Sequence, residues 1–300
     1  MKPSKTLLTR RVGLLTLLLA LSACQPKPGE VQVTDSERSI QNKGSDTLVN
    51  LALAWAEAYR EVDSSVSIAV TGGGSGTGIA ALINGTADIA NASREMKADE
   101  IAAAQANGIN PVEFKVAIDA LAVIVNPENP VSQLTIGQLS DIFTGRIDNW
   151  KEIGGRDAPI VLLSRETNSG THVYFLEEVV RQGDESSQAI FAPQTLLMPS
   201  SVGITSEIRR NPNAIGYDGL GYITEGEKMI AVARDSDSPY VLPSVESGAA
   251  GTYPLARYLY MYTAGEPSGV IADYIEWIRG PEGQAIVSRL GFVPLPQNQE

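Results

Sequence analysis

Val116-Ala117-Ile118-Asp119-Ala120-Leu121-Ala122-Val123-Ile124-Val125 is a nearly continuous apolar run interrupted by one carboxylate. Its second half, 121–125, predicts a buried strand, with Asp119 at the entrance. On either side of it, short apolar runs alternate with amphipathic stretches, which is the pattern of an α/β fold. Towards the N-terminus, Leu48, Leu51, Trp55, Ala58 and Tyr59 recur at helical spacing and predict a helix over 47–62. A strand over 66–70, a helix over 79–84 closed by Gly85, a strand over 87–90 and a helix over 97–106 follow. Towards the C-terminus, 134–143 is amphipathic with Thr135 as its cap, 159–163 reads as a strand and 171–181 as a helix. Ser200-Ser201 caps a short helix that ends before Asn211-Pro212, and 216–223 returns as a strand. Residues 248–251 read as a small flexible turn. Tyr258, Tyr260 and Tyr262 alternate with Leu259 and Met261, which predicts another crossing strand, and helices over 267–279 and 282–289 complete the pattern. A second apolar sheet in the middle of the chain makes the domains discontinuous.

The 300 residues carry a formal net charge of −12, with 23 Lys and Arg against 35 Asp and Glu, one His and one Cys. That balance argues against nucleic acid, whose affinity comes from Lys and Arg meeting phosphates. One Cys excludes an internal disulfide, and one His excludes a His-rich metal centre. The carboxylates form no metal-ligand run, so no metal is expected. A Ser–His–Asp triad would rest wholly on His172, and no Gly-x-Ser-x-Gly elbow precedes it. His172 therefore reads as a packing residue at a helix start.

Lys2, Lys5, Arg10 and Arg11 precede an apolar run over 12–20, closed by Leu21-Ser22-Ala23-Cys24. Spanning roughly 30 Å of hydrocarbon takes about 20 helical residues, so the run reads as the core of a signal peptide over 1–23. A small residue before the only Cys resembles a bacterial lipobox, with cleavage before Cys24 and lipidation (palmitate) of Cys24. Residues 24–40 read as the lipidated Cys and a flexible tether. The protein is then expected outside the cytoplasm, held to a bacterial membrane by acyl chains. Loss of the four cations takes the formal charge from −12 to −16.

Three segments share one design, a strand leading through a small, hydroxyl-rich loop into a helix. They are Gly44-Ser45-Asp46-Thr47, Gly72-Gly73-Gly74-Ser75-Gly76-Thr77-Gly78 and Arg165-Glu166-Thr167-Asn168-Ser169-Gly170-Thr171. Helix N-termini carry unpaired N–H groups, glycine lets the backbone approach closely, and hydroxyls add donors. Each loop is an anion-binding nest, and together they suggest one tetrahedral anion held from several sides. The glycine run lacks Gly-Lys-Ser/Thr and misses the Gly-x-Gly-x-x-Gly spacing, so no nucleotide fold is supported.

In order, these loops, Asp88-Ile89-Ala90-Asn91-Ala92-Ser93-Arg94 and Ala117-Ile118-Asp119-Ala120 resemble the phosphate-binding protein (PstS) family of phosphate ABC transporters. Asp141-Ile142-Phe143-Thr144-Gly145, Asn149-Trp150 and Ile215-Gly216-Tyr217 extend the resemblance, which covers roughly 41–296. It implies a two-lobed periplasmic-binding-protein-like fold (type II) with the ligand in the interlobe cleft. Lobe I would be 41–120 plus 256–300 and lobe II 121–255, joined by two crossing hinge strands near 118–123 and 255–260. By resemblance, Thr47 and Ser75 donate to the anion from lobe I. Arg165 makes the charge-assisted pair, and Ser169, Gly170 and Thr171 supply a helix N-terminus from lobe II. Ser45, Gly76 and Thr77 neighbour the ligand.

One departure bears on selectivity. Many family members place an Asp near the position of Ser93 or Arg94, where it accepts the proton of bound phosphate. Asp46, Asp119 and Glu166 are the candidates to replace it, Asp119 first, because it interrupts the buried run beside the cleft. The alternative for Asp119 is an ion pair that orients Arg94 or Arg165. The resemblance implies a monomer that captures inorganic phosphate and delivers it to the permease and ATPase of an ABC importer, without catalysis and without a cofactor. The alternatives are a receptor for another tetrahedral oxyanion, a phosphate sensor, and a secreted phosphoryl-transfer enzyme using His172.

Overall fold

A computed structural model describes residues 39–296. The signal peptide, Cys24 and the tether up to residue 38 lie outside the described residues. The first strand, β1 (Ser39–Gly44), passes through a 3₁₀ turn at Asp46–Leu48 into α1 (Val49–Val62). Next come β2 (Ser67–Thr71), α2 (Ser75–Ile83), β3 (Ile89–Ala92), α3 (Ala98–Ala106) and the 14-residue β4 (Val112–Val125). The middle of the chain forms β5 (Gln133–Thr135), α4 (Ile136–Phe143), β6 (Val161–Arg165) and α5 (Gly170–Phe175), which a π-helical stretch prolongs to Val180. It continues with β7 (Leu196–Met198), α6 (Ser201–Arg210), β8 (Ala214–Gly219), β9 (Lys228–Met229), β10 (Ala231–Ala233) and α7 (Val245–Ala249). Then β11 (Ala256–Thr263), α8 (Val270–Arg279) and α9 (Pro281–Arg289) follow.

β4 organises the two-lobed α/β architecture. Its residues up to Ala120 pair antiparallel with β11, and those from Leu121 pair antiparallel with β8. On the first side, parallel β1 lies between β2 and β3, and β3 joins β11. On the second, β8 runs parallel to β6 and β6 parallel to β7. Leu121 N donates to Leu255 O at 2.8 Å, so the chain crosses a second time beside β4.

Each lobe has its own core. α1 lays Leu51, Trp55 and Tyr59 at four-residue spacing against Tyr274 and Ile278 of α8. In the other lobe Phe143, Phe175 and Tyr217 pack together, the last two rings stacked 3.7 Å apart. Full burial of such a side chain contributes about 1.5–3 kcal/mol. Each core therefore holds its lobe together, while the connection runs through the strand pair near Ala120 and Leu255.

Several boundaries depart from the expectations above. α2 starts at Ser75 instead of 79, because Ser75 Oγ is buried and accepts Ser93 N at 3.0 Å. The helix also packs so closely that a Cβ on Gly78 would sit 2.4 Å from Lys43 O. Packing overrides the poor helix propensity of glycine there. β8 stops at Gly219, where Leu220 N turns to Asp119 Oδ1 at 3.3 Å and a 3₁₀ turn replaces the expected strand. Residues 245–249 form α7, because Ser244 Oγ accepts Ser247 N and caps it. β1 begins at Ser39, so the last two residues read as tether are part of the sheet.

Candidate functional site

The two loops of lobe I leave adjacent parallel strands and point the same way. Gly44 ends β1 at φ +143°, and a Cβ there would lie 2.2 Å from Asn91 O, so only glycine lets the chain turn this close to β3. Ser45 N donates to Asn91 O at 2.8 Å, while Ser45 Oγ is buried and has no hydrogen-bond partner among the described residues. Thr47 is buried on the following turn. In the glycine loop, Gly74 takes φ +92° and donates to Gly44 O at 3.0 Å, which ties the two loops together. Ser75 opens α2 with its Oγ 3.3 Å from Ser93 Oγ.

The third loop meets them from lobe II. Thr171 Oγ1 lies 2.8 Å from Thr47 Oγ1. A Cβ on Gly170 would sit 2.4 Å from Ser75 Oγ and 2.6 Å from Ser93 Oγ. Ser169 caps α5 by accepting Thr171 N at 3.2 Å. Gly76 N donates to Asn168 O at 3.1 Å, and Asn168 Nδ2 donates to Gly73 O at 2.8 Å. Thr77 Oγ1 turns back to Gly73 O at 2.6 Å. The hydroxyls of Thr47, Ser75, Ser93 and Thr171 thus converge from both lobes, with Gly76 and Thr77 at the rim.

Three arginines stand around this point, each paired with a carboxylate. Arg165 is 1% exposed, with Nη2 on Asp46 Oδ2 at 3.1 Å and Nη1 on Ser201 Oγ at 3.0 Å. Asp46 also accepts Ser201 N at 2.9 Å, so a lobe I carboxylate reaches the start of α6 in lobe II. Arg94 directs Nη1 and Nη2 to Glu100 at 2.7 Å each. Asp119 is fully buried and holds Arg257 Nη2 on Oδ2 at 2.9 Å, and the same Nη2 lies 2.8 Å from Thr171 Oγ1. The ion pair of Asp119 therefore orients Arg257, and neither Arg94 nor Arg165, because Arg257 sits directly opposite it on β11. Glu166 is exposed; its backbone N–H donates to Met198 O at 3.2 Å and its backbone O accepts Ser169 N at 2.9 Å.

Arg257 and Asp218 are not singled out in the sequence, where Ser201 reads only as a helix cap and Asn168 only as a member of the third loop. Arg257 carried one usable signal, a cation heading an alternating apolar and aromatic strand, where it needs a buried partner. His172 is buried against Phe191, and its Nδ1 lies 3.0 Å from Ser164 Oγ. Ser164 in turn is fully buried and 2.6 Å from Tyr217 OH. Burial pushes the His172 imidazole below its usual range, partly offset by the Arg165 backbone. That environment favours a neutral packing residue, as the sequence suggests.

Known proteins resemble this chain along most of its length. A model of the PBP superfamily domain matches residues 31–282. The phosphate-binding protein PstS of Pseudomonas aeruginosa is 33% identical over 295 residues, covering 92% of this chain and 90% of that protein. The PstS of Bacillus subtilis is 30% identical over 292 residues, covering 94% and 92%. Among solved structures, a putative phosphate ABC transporter substrate-binding protein from Clostridium perfringens, with bound phosphate, aligns with a TM-score of 0.76 at 32% identity. It covers 86% of this chain and 99% of that one. An ABC-type phosphate transport receptor from Vibrio cholerae aligns with a TM-score of 0.67 at 28% identity, over 85% and 100%.

Proposed function

The chain belongs to the PBP superfamily and, within it, to the PstS family of phosphate-binding proteins; from that membership we propose that it captures inorganic phosphate outside the cytoplasm and delivers it to the permease and ATPase of an ABC importer. The observation that carries this reading is the meeting of Thr47 and Thr171 hydroxyls at 2.8 Å, with Ser75, Ser93 and Gly170 beside them. Hydroxyl and backbone donors brought from two lobes onto one point suit a tetrahedral oxyanion that lobe closure buries. Ser45, Ser169, Gly76 and Thr77 shape the rim of that site, and Arg165 and Arg94 supply cationic edges.

Phosphate, unlike sulfate, carries a proton at neutral pH that it can donate. A carboxylate facing the ligand rewards that proton and repels an anion without one. Asp119 is the proposed acceptor, since its partner Arg257 also touches Thr171. The protein is proposed to act as a monomer anchored through lipid on Cys24, and to bind without turning its ligand over.

Calorimetric titration of the protein lacking its first 24 residues, after removal of bound anion, tests the reading. Micromolar or tighter phosphate binding with much weaker sulfate binding is expected, and Asp119→Asn should narrow that gap. Heat from neither anion would refute phosphate capture. Hydrolysis of a chromogenic phosphate ester, abolished by His172→Ala, would refute the assignment as a binding protein.

A further inference from the structure

Asp218 lies near the end of β8, fully buried, in the strand that pairs with β6, whose last residue is Arg165. Its Oδ1 accepts Ser201 Oγ at 2.8 Å and Gly219 N at 2.8 Å, while its Oδ2 has no hydrogen-bond partner among the described residues. A serine hydroxyl has one proton to give. Ser201 gives it to Asp218, and its lone pairs are left to accept Arg165 Nη1 at 3.0 Å. Arg165 then reaches Asp46 Oδ2 at 3.1 Å in the lobe I loop. A continuous chain of contacts runs from Asp218 through Ser201 and Arg165 to Asp46.

We propose that Asp218 is a positioning residue for Arg165, and that its carboxyl, acting through Ser201, sets how much of the Arg165 charge is left for the bound anion. The proposal rests on the reading of Arg165 as a cation of the anion cleft.

The charged and titratable groups around Asp218 come from each neighbouring element. β6 contributes Arg165, β4 contributes Asp119, and the 3₁₀ turn after β8 contributes Tyr222. The turn before α1 adds Asp46 through Arg165, and α6 contributes the uncharged Ser201. Burial pushes the Asp218 carboxyl up to about 7; Arg165 and the bonds from Ser201 and Gly219 pull against that rise, and Asp119 adds to it. Uncharged, Asp218 still accepts from Ser201, and Arg165 is offset by Asp46 alone. Ionised, it adds a second carboxylate beside the guanidinium in a site screened from water, and the hold on an anion weakens. Ionisation of Asp218 therefore lowers affinity as pH rises through about 7, on top of the ionisation of phosphate itself. By linkage, a bound anion must raise the Asp218 pKa further.

The test uses the mature protein and two readouts. In the first, NMR follows the Asp218 carboxyl carbon and the Arg165 side-chain nitrogens of the anion-free protein through the neutral pH range. Both are expected to move with one midpoint, and Ser201→Ala is expected to reduce the movement at Arg165. In the second, phosphate is titrated calorimetrically into wild type and Asp218→Asn, so that the ionisation of phosphate itself cancels in the ratio. The dissociation constants should be equal well below pH 7, and wild type should bind about tenfold more weakly than the variant well above it, the effect of one unit of pKa coupling. A ratio that is flat with pH, or Arg165 nitrogens that ignore the Asp218 titration, overturns the proposal. Phosphate heat from neither protein is a failure of the phosphate reading. The NMR arm then still decides the coupling, as it does if Asp218→Asn does not fold.

Discussion

Replacing Gly170 by Ala adds one methyl group where α5 packs against Ser75 and Ser93. The new Cβ would sit 2.4 Å from Ser75 Oγ, 2.6 Å from Ser93 Oγ and 3.1 Å from Arg94 Cγ. Comfortable contact needs about 3.5 Å, so the lobes must part by roughly 1 Å. Gly170 opens α5 without a left-handed backbone, so alanine fits the chain itself and leaves each lobe intact. The parting would stretch the 2.8 Å contact between Thr47 and Thr171 beyond hydrogen-bonding range. It would also lengthen two or three bonds to a bound anion, each contributing about 1–1.5 kcal/mol. Together that is about 3 kcal/mol, or roughly a hundredfold weaker phosphate binding. Phosphate calorimetry, paired with thermal melting of the anion-free protein, measures both sides of the argument. An unchanged dissociation constant would mean that the lobes do not close on the ligand at Gly170. A loss of affinity accompanied by a melting temperature several degrees lower would locate the damage in folding instead.

Other substitutions and conditions probe separate links. Thr47→Val keeps the shape and removes the hydroxyl, and should weaken phosphate binding roughly tenfold by titration; full affinity would remove Thr47 from the site. Arg257→Met leaves Asp119 buried without its partner and should lower unfolding free energy by about 3–5 kcal/mol in urea, most of which returns when Asp119→Asn is added. A single variant as stable as wild type would show that the pair contributes nothing. The Asp218 carboxyl lies at about 7 when folded and near 3.8 unfolded, so its stabilising contribution is complete below about pH 4 and is lost as pH rises through 7. Asp218→Asn should therefore gain stability over wild type between about pH 4 and 8, by at most about 4 kcal/mol, and parallel stability curves would contradict this. With Arg94, Arg165 and Arg257 each already paired and a formal net charge of −12, phosphate affinity should change less than about threefold between low and physiological salt, and a steep loss would contradict it.

The parts of the molecule that announce themselves in the sequence are those governed by local pattern. The 121–125 run is a strand because nothing polar interrupts it, and α1 shows its buried face through Leu51, Trp55 and Tyr59. The three hydroxyl-rich loops are legible because glycine and hydroxyl residues cluster where helices start. What escapes is pairing over distance. Asp119 stands out as a charge in an apolar run, but its partner lies on β11, and only strand register brings Arg257 opposite it. Asp46 and Arg165 stand in separate loops of the sequence, and only the meeting of the lobes joins them. Asp218 is hidden for another reason: a carboxylate beside glycine at a strand end looks like an ordinary turn. α2 begins early for a tertiary reason as well, since Ser75 is fixed by Ser93 from the neighbouring strand.

The pairing of β4 with β11 also sets an order for biosynthesis. Ala120 meets Ala256 and Val112 meets Thr263, partners roughly 140 residues apart, and such distant pairings form late. On the ribosome, 121–255 is contiguous and can gather its core around Phe143, Phe175 and Tyr217 as soon as it emerges. The earlier-made segment must wait with the edges of β3 and β4 unpaired until β11 is available. A nascent chain that stops short of Ala256 thus carries Thr47, Ser75, Ser93, Thr171, Arg94 and Arg165 without Arg257 and without the strand that ties β3 to β4.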